Sequence, residues 1–420
     1  MLDVLYIFFF VIGDMFLFKI FIFFCIFWSL FLELDYVDFF FFLSDSFLFW
    51  ILISMILLYS VFCIIDLNLG VVLLFSILLI YFFFMVDVIL YFFLLFEFLL
   101  IPIFLYVTGW GYQVERLQAS IYLMVYSLVS SIPFLFFCLY TVNCGLVNFI
   151  FLYYMDMKSV WIVFLLLVFL VKFPIYFGHL WLPKAHVESP TGSSIILAGI
   201  MLKMGYYGIS HFFCLVNYMN FFFLNLVFVV GLVGIFFSSI ICFMSLDMKT
   251  LVAYSSVSHM CFSLVSLMTA TSIGYGYSLL ASLCHSFCSG GLFFLCGILY
   301  YSLKTRNILS ITGMYMNSSL LCSWIYVFGF LNMSFPISMM IMSEFMMMSS
   351  VVVYSFFVFF VCFFCFIMIS NYNLFFTISV TLMEMMDFKL VYFDLKSNYV
   401  MFFFFFFLSL VYFVVNFNGF

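Results

Sequence analysis

The residues that could do chemistry here are ionisable side chains set inside apolar runs. Glu97 lies within YFFLLFEFLLIPIF, with Pro102 five residues on. Lys172 lies near the centre of a predicted span over 159–180, Lys203 lies within IILAGIMLKMGYYG, and Glu344 follows a long apolar stretch. A charge in hydrocarbon is costly, so each is a functional candidate by default. Desolvation makes a lysine give up its proton more readily and makes a carboxylic acid hold its proton more tightly. An opposite charge reverses both effects, and one pKa unit corresponds to about 1.4 kcal/mol, so moving one partner switches the other's protonation. The chemistry these residue types suit is proton transfer. His259 and His285, in the predicted spans 250–269 and 273–303, fit a relay because imidazole titrates near neutral pH and can take and give a proton. The bland alternatives are a buried ion pair that holds helices together and a packing histidine. Two lysines on successive spans, with no acid beside either, exceed what structural glue requires.

His179 and His186 flank a WLP turn in KFPIYFGHLWLPKAHVESPTG, residues 172–192. Pro174, Pro183 and Pro190 are expected to break helix there, with Gly178 and Gly192 loosening it. Irregular backbone at membrane depth is tolerated where it is buried in protein or lines a wet cavity, and discontinuous helices mark ion sites in transporters. A second interruption is expected over 332–344, around Pro336. His179, His186 and Glu188 match no tight metal-ligand spacing, so no metal is expected. His211 is assigned no role. The CxxC of Cys362 and Cys365, like Cys284 and Cys288, lies in apolar helix without further ligands and reads as small buried hydrophobes.

The elements that must position these residues follow from composition. The chain has 420 residues, 70% hydrophobic, and 7% charged against about 25% in an ordinary soluble domain. A soluble surface cannot be built from that, so the solvent for most of the chain is lipid. The apolar runs are about 20 residues long and do not alternate, which selects helices over a barrel. Spans are expected at about 46–65, 70–86, 88–108, 117–142, 159–180, 192–216, 219–245, 250–269, 273–303, 316–345, 346–370 and 398–416, with one or two more in 2–32 and a loop over 143–158. The total is 13 or 14. The net charge of −6 and the lack of a basic stripe exclude a nucleic-acid partner. No nucleotide fingerprint or cluster-binding cysteine set is visible, so no cofactor is expected in this chain. The N-terminal stretch shows neither a small-residue cleavage site nor an Arg-rich leader.

The stretch from Lys172 to Gly208 resembles the signature of NADH dehydrogenase subunit 4, in the antiporter-like subunit family of respiratory complex I. Three further blocks agree: FEFLLIPIF with GWGYQVERLQASIYLMVYSLVSSIP, LDMKTLVAYSSVSHM, and NMSFPISMMIMSE. The resemblance covers about residues 85–350. HLWLPKAHVES is similar to the mitochondrial wording, since bacterial and plastid forms usually carry an acidic residue in place of Lys184. The family fold implied is 14 helices containing two inverted five-helix repeats and two discontinuous helices. The resemblance implies that Glu97 is the functional glutamate of the fifth span, Lys172 the lysine beside the first broken helix, and Lys203 the lysine of the following span. His259 and His285 match histidines of the internal proton path, and Glu344 matches the exit-side glutamate of the second broken helix. His179, His186, Pro174 and Pro183 are supporting residues. Two departures stand out: Pro336 is followed by Ile337 where the family often has a second proline, and Val114 replaces a usual proline.

On that reading the chain divides into N-terminal spans (1–69), a first repeat (70–216), a second repeat (217–370) and a C-terminal loop and span (371–420). Its partners would be lipid and other complex I subunits, foremost the neighbouring antiporter-like ones. FMN, iron–sulfur clusters and ubiquinone would reside in those other subunits. Its place would be the mitochondrial inner membrane, with synthesis inside the organelle. Two other classes compete: a free-standing Mrp-type cation/proton antiporter and a structural scaffold with a dead channel. The HLWLPKAHVES wording favours complex I over the first, and retention of Glu97, Lys172, Lys203 and Glu344 in so uncharged a chain opposes the second. On a native gel the chain is expected in a very large complex with flavin and iron–sulfur subunits. A functional homo-oligomer with no redox partner would overturn this assignment in favour of the antiporter.

Overall fold

The computed structural model describes residues 67–86, 88–111, 113, 115–143, 159–212, 221–316, 318–335 and 338–382. The spans expected at 2–32, 46–65 and 398–416, the 143–158 loop, Val114, Pro336 and Ile337 lie outside the described residues, apart from the helix ends at 143. The order is α1 (Leu67–Met85), α2 (Ile89–Phe98), α3 (Leu100–Trp110), α4 (Arg116–Asn143), α5 (Ser159–Lys172), α6 (Trp181–Glu188), α7 (Thr191–Ile196), a π-helical turn (Leu197–Met201), α8 (Leu202–Phe212), α9 (Phe221–Met244), α10 (Met248–Met268), α11 (Ser272–Leu303), α12 (Ser319–Asn332), α13 (Met339–Tyr354) and α14 (Phe356–Leu382). Six of the described helical stretches are long and apolar enough to cross a membrane: Ile89–Trp110, Arg116–Asn143, Phe223–Met244, Met248–Met268, Ser272–Leu303 and Phe356–Leu382. The expected polytopic all-α architecture is therefore the observed one.

Packing follows residue size. α11 runs through the centre, and many of its buried positions are small: Ser282, Cys284, Ser286, Cys288, Ser289, Gly290 and Gly291. Small residues let helix backbones approach closely where no hydrophobic force separates protein from lipid. A Cβ on Gly291 would stand 2.3 Å from the Phe328 ring. α10 is buried along its whole length. α4 and α14 lie outside, with outward rows such as Leu117, Ile121, Leu128 and Ile132 on α4 and Phe356, Phe360, Phe363 and Ile367 on α14. Buried serines do not break these helices because their hydroxyls donate to carbonyls three or four residues back, as Ser256 does to Ala253 and Ser289 to His285.

Prolines decide where the rods are interrupted. Pro102 lacks the N–H that would bond the Phe98 carbonyl, and the 89–110 stretch divides into α2 and α3 at Leu99. Pro174 likewise has none for the Leu170 carbonyl; Ile175 N takes it instead at 3.1 Å. α5 therefore ends at Lys172, and the chain turns through Phe177, whose φ of 74° is left-handed, before α6 begins. Two expectations are corrected here. Lys172 closes its helix instead of lying mid-span. Pro183 breaks nothing: it occupies the first turn of α6, where a missing N–H costs no intrahelical bond.

The second interruption lies where it was expected. α12 ends at Asn332, Ser334 adopts φ 57°, and α13 starts at Met339. The division expected at 345/346 is absent: α13 continues to Tyr354, and Ser355 separates it from α14. α14 in turn passes unbroken through 370/371.

Gly205 and Gly208 bring α8 against α5. A Cβ on Gly205 would meet the Phe173 backbone nitrogen at 2.7 Å, and one on Gly208 the Phe169 ring at 2.2 Å. Gly205→Ala meets backbone that cannot rotate away. It is expected to cost about 1–3 kcal/mol, as overpacking does, and to lower the melting temperature of the purified protein. Unchanged melting would show that the two helices can separate freely.

Candidate functional site

The intramembrane charges fall into two groups. In the first, Lys172 Nζ lies 3.6 Å from Glu97 Oε1. That is an ion-pair distance without a close hydrogen bond, and neither Glu97 oxygen has a hydrogen-bond partner among the described residues. The ammonium instead donates to the Phe96 carbonyl at 2.9 Å and sits 3.0 Å above the centroid of the Phe96 ring. α2 and α5 thus each supply one member of a loosely closed pair. The end of α5 places Lys172 beside irregular backbone, and Trp181 Nε1 donates to the Val171 carbonyl at 3.0 Å to fix α6 against it. A small cavity lies at this corner, lined by Lys172, Leu100, Ser127, Trp181, Leu197 and Met201.

The second group is a continuous row through the buried centre. Lys203 Nζ donates to the Ala198 carbonyl at 2.8 Å and to His285 Nδ1 at 3.1 Å. Ala198 belongs to the π-helical turn, whose wider loop leaves that carbonyl open to an ammonium five residues on. The rings of His285 and His259 are 5.6 Å apart between centroids. His259 Nδ1 is 3.0 Å from Glu344 Oε1, and Glu344 Oε2 accepts from the Ser334 hydroxyl. Lys203, His285, His259 and Glu344 are each no more than 2% exposed. Four elements supply them: α8, α11, α10 and α13. The Nε2 atoms of both histidines have no protein partner among the described residues, so each ring has one nitrogen engaged and one open, as a relay requires.

The supporting histidines do not join the row by direct contact. His179 stacks on Tyr176 at 4.8 Å and meets Tyr254 edge-on. His186 is fully buried and stacks flat on Phe293 at 4.5 Å, with both ring nitrogens unpartnered among the described residues. The Pro174 carbonyl accepts from Cys261 Sγ at 3.3 Å.

Three groups escaped the sequence reading. Ser334 showed no signal, because only its left-handed backbone turns the hydroxyl onto Glu344. Lys249 lies just before the predicted span 250–269, and the sequence assigns it no role. It is 1% exposed and donates to the Ser189 carbonyl at 2.8 Å. Arg306 donates to the Val187 carbonyl at 3.1 Å and lies 4.0 Å from Glu188, so both cations clamp the end of α6. The quoted block LDMKTLVAYSSVSHM held the signal for Lys249.

Comparison with known proteins places this geometry. The family described as "NADH:quinone oxidoreductase/Mrp antiporter, TM" matches residues 86–370, which holds every member of both groups. The chain belongs to this family. Among curated members of the antiporter family, NADH-ubiquinone oxidoreductase chain 4 of Aedes aegypti is 39% identical over 257 residues, 60% of this chain and 58% of that one. Its counterpart in Rhipicephalus sanguineus is 41% identical over 253 residues, 58% of this chain and 56% of that one. The aligned part thus spans less than two thirds of those relatives. The fold itself is shared with a chain of respiratory complex I from Thermus thermophilus with bound NADH, at a TM-score of 0.78 and 22% identity over 88% of this chain and 80% of that one. It is shared equally with a chain of the membrane-bound sulfane sulfur reductase, an archaeal respiratory membrane complex, at 0.78 and 14% identity over 89% and 79%.

Removing one partner of a buried pair leaves the other uncompensated, which costs more than removing both. His259→Ala is therefore expected to lower the melting temperature of the detergent-purified protein further than His259→Ala combined with Glu344→Gln. Equal or additive losses would show that the two side chains are not coupled.

Proposed function

We propose that the chain carries protons across a membrane as an antiporter-like subunit of a respiratory NADH:ubiquinone oxidoreductase. The observation that carries this reading is the row Lys203–His285–His259–Glu344, hydrogen-bonded at both ends with the two imidazoles adjacent in the middle, inside a bundle built mainly of apolar and small residues. The names of the curated relatives support the oxidoreductase context, and their animal sources support the mitochondrial inner membrane. Electron transfer, with its FMN, iron–sulfur clusters and ubiquinone, belongs in this reading to partner subunits. The two inverted repeats, divided at 216/217, are part of the same proposal.

In the mechanism, Glu97 and Lys172 form the switch and the row forms the conductor. With the carboxylate near, Lys172 stays charged on the Phe96 carbonyl and ring. When Glu97 is neutralised or moves away, the ammonium loses its counter-charge, and the proton passes across the cavity toward Lys203. Lys203 delivers it to His285 Nδ1; the open Nε2 atoms carry it between the rings, and His259 Nδ1 hands it to Glu344. Ser334, as a donor to Glu344 Oε2, holds the carboxylate facing His259.

Glu97→Gln keeps shape and removes charge. It is expected to lower quinone-linked NADH oxidation and pumping together, by about tenfold or more, equivalent to about 1.4 kcal/mol of barrier. NADH oxidation by artificial acceptors should persist. Normal coupled turnover would refute the switch. Lys172→Ala and Lys172→Arg are both expected to abolish pumping, because Arg holds its proton at any accessible pH. An assembled Lys172→Arg variant that pumps at the normal rate would show that only positive charge is needed there. Sodium-dependent proton exchange by the chain without redox subunits would favour the Mrp-type reading.

A further inference from the structure

α14 faces outward through its phenylalanines, yet its other face is polar and buried: Tyr372, Asn373, Thr377 and Thr381 are each 2% exposed or less. That face runs antiparallel along α12 in three steps. Tyr326 Oη and Thr381 Oγ1 are 2.7 Å apart. One turn on, a Cβ at Gly329 would stand 2.1 Å from Thr377 Cγ2, so the helices touch there with no side chain on α12 between them. At the third step Asn332 Nδ2 donates to Asn373 Oδ1 at 2.9 Å, and Asn373 Nδ2 donates back to the Asn332 carbonyl at 3.2 Å.

The last of these bonds has a covalent cause. In a continuous helix the Asn332 carbonyl would accept from the N–H of residue 336. Residue 336 is proline and has no N–H. A buried carbonyl without a donor costs free energy, and lipid offers no water to replace it. The Asn373 amide supplies the donor. Asn332 lies two residues before Ser334, whose left-handed backbone aims its hydroxyl at Glu344. On the other flank, Tyr372 Oη is 3.3 Å from Ser258 Oγ, the residue next to His259. Consecutive residues of α14 therefore brace both members of the His259–Glu344 pair.

We propose that Asn373 is a positioning residue of the proton path: its side-chain amide replaces the N–H missing at Pro336 and thereby holds Ser334 in place to donate to Glu344. Asn373 lies three residues beyond the end of the family match at 370. The assignment makes α14 a working part of the site and not a lipid-facing cover. It rests on the proton-transfer reading above. A pair that merely glued α12 to α14 would change stability without acting through Ser334.

The test is a double-mutant cycle in the assembled complex in native membranes, with turnover expressed per complex by NADH oxidation with an artificial acceptor. Asn373→Leu and Ser334→Ala are each expected to slow quinone-linked turnover by about threefold or more, and their combination no further than the worse single variant. Should Asn373→Leu not assemble, Asn373→Ser replaces it, since a serine hydroxyl turns back to its own helix and leaves Asn332. Asn373→Gln, which keeps the amide, is expected to restore part of the rate. Normal turnover in Asn373→Leu, or losses that multiply in the double variant, would overturn the proposal. If Glu344→Gln also turns over normally, the proton-transfer reading itself has failed. If Glu344→Gln is inactive and Asn373→Leu is not, only the role of Asn373 has.

Discussion

In an interior without water every backbone carbonyl needs a donor, and the rest of this structure depends on how that demand is met. Proline removes donors at three interruptions. At two of them a side chain or a displaced N–H takes over. Ile175 N serves the Leu170 carbonyl freed by Pro174, and Asn373 serves the Asn332 carbonyl freed by Pro336. Close to the interruption at Leu99, Lys172 donates to the Phe96 carbonyl, and in the π-helical turn Lys203 donates to Ala198. Two of these four donors, Lys172 and Lys203, are also groups to which the proposed mechanism gives a proton. An ammonium held by a carbonyl and a ring has few strong partners to give up when it discharges. Discontinuous helices and intramembrane charges are two sides of one solution.

The two charge groups differ in a way that bears on coupling. The row from Lys203 to Glu344 is close-packed, with bonded contacts at both ends and an imidazole pair between. The Glu97–Lys172 pair is looser, its carboxylate oxygens unpartnered among the described residues and its separation longer than a hydrogen bond. A tight conductor transmits protonation changes with little motion, whereas a loose pair changes state when one helix shifts slightly. The small cavity beside Lys172 lies on the side toward Leu197 and Met201, the turn that precedes Lys203. In the proposed mechanism, loose control at one end and a rigid path at the other let a remote displacement set the direction of transfer.

Much of this protein was determined by its sequence alone. Apolar run lengths dictated helices, because only helices satisfy their backbone within lipid, and the ends of α4, α9, α10 and α11 fall within a few residues of hydropathic expectation. The cost of burying charge singled out Glu97, Lys172, Lys203 and Glu344, and the proline positions marked both broken helices. Tertiary structure alone decided the rest, for reasons of distance and direction. Lys203 and His285 are 82 positions apart and His259 and Glu344 are 85, so only packing around the small-residue face of α11 brings them into contact. Pro183 breaks nothing because its register puts it in a first turn, which composition does not reveal. Lys249 could not be placed from hydropathy, which does not register that its ammonium reaches back to cap another helix. Ser334 and Asn373 carried no sequence signal, since a serine or asparagine in an apolar helix usually bonds its own backbone, as Asn373 Nδ2 also does to the Ile369 carbonyl at 3.1 Å. What sets these two apart is a left-handed φ and a carbonyl left bare by a proline on a different helix, and neither exists until the chain has folded.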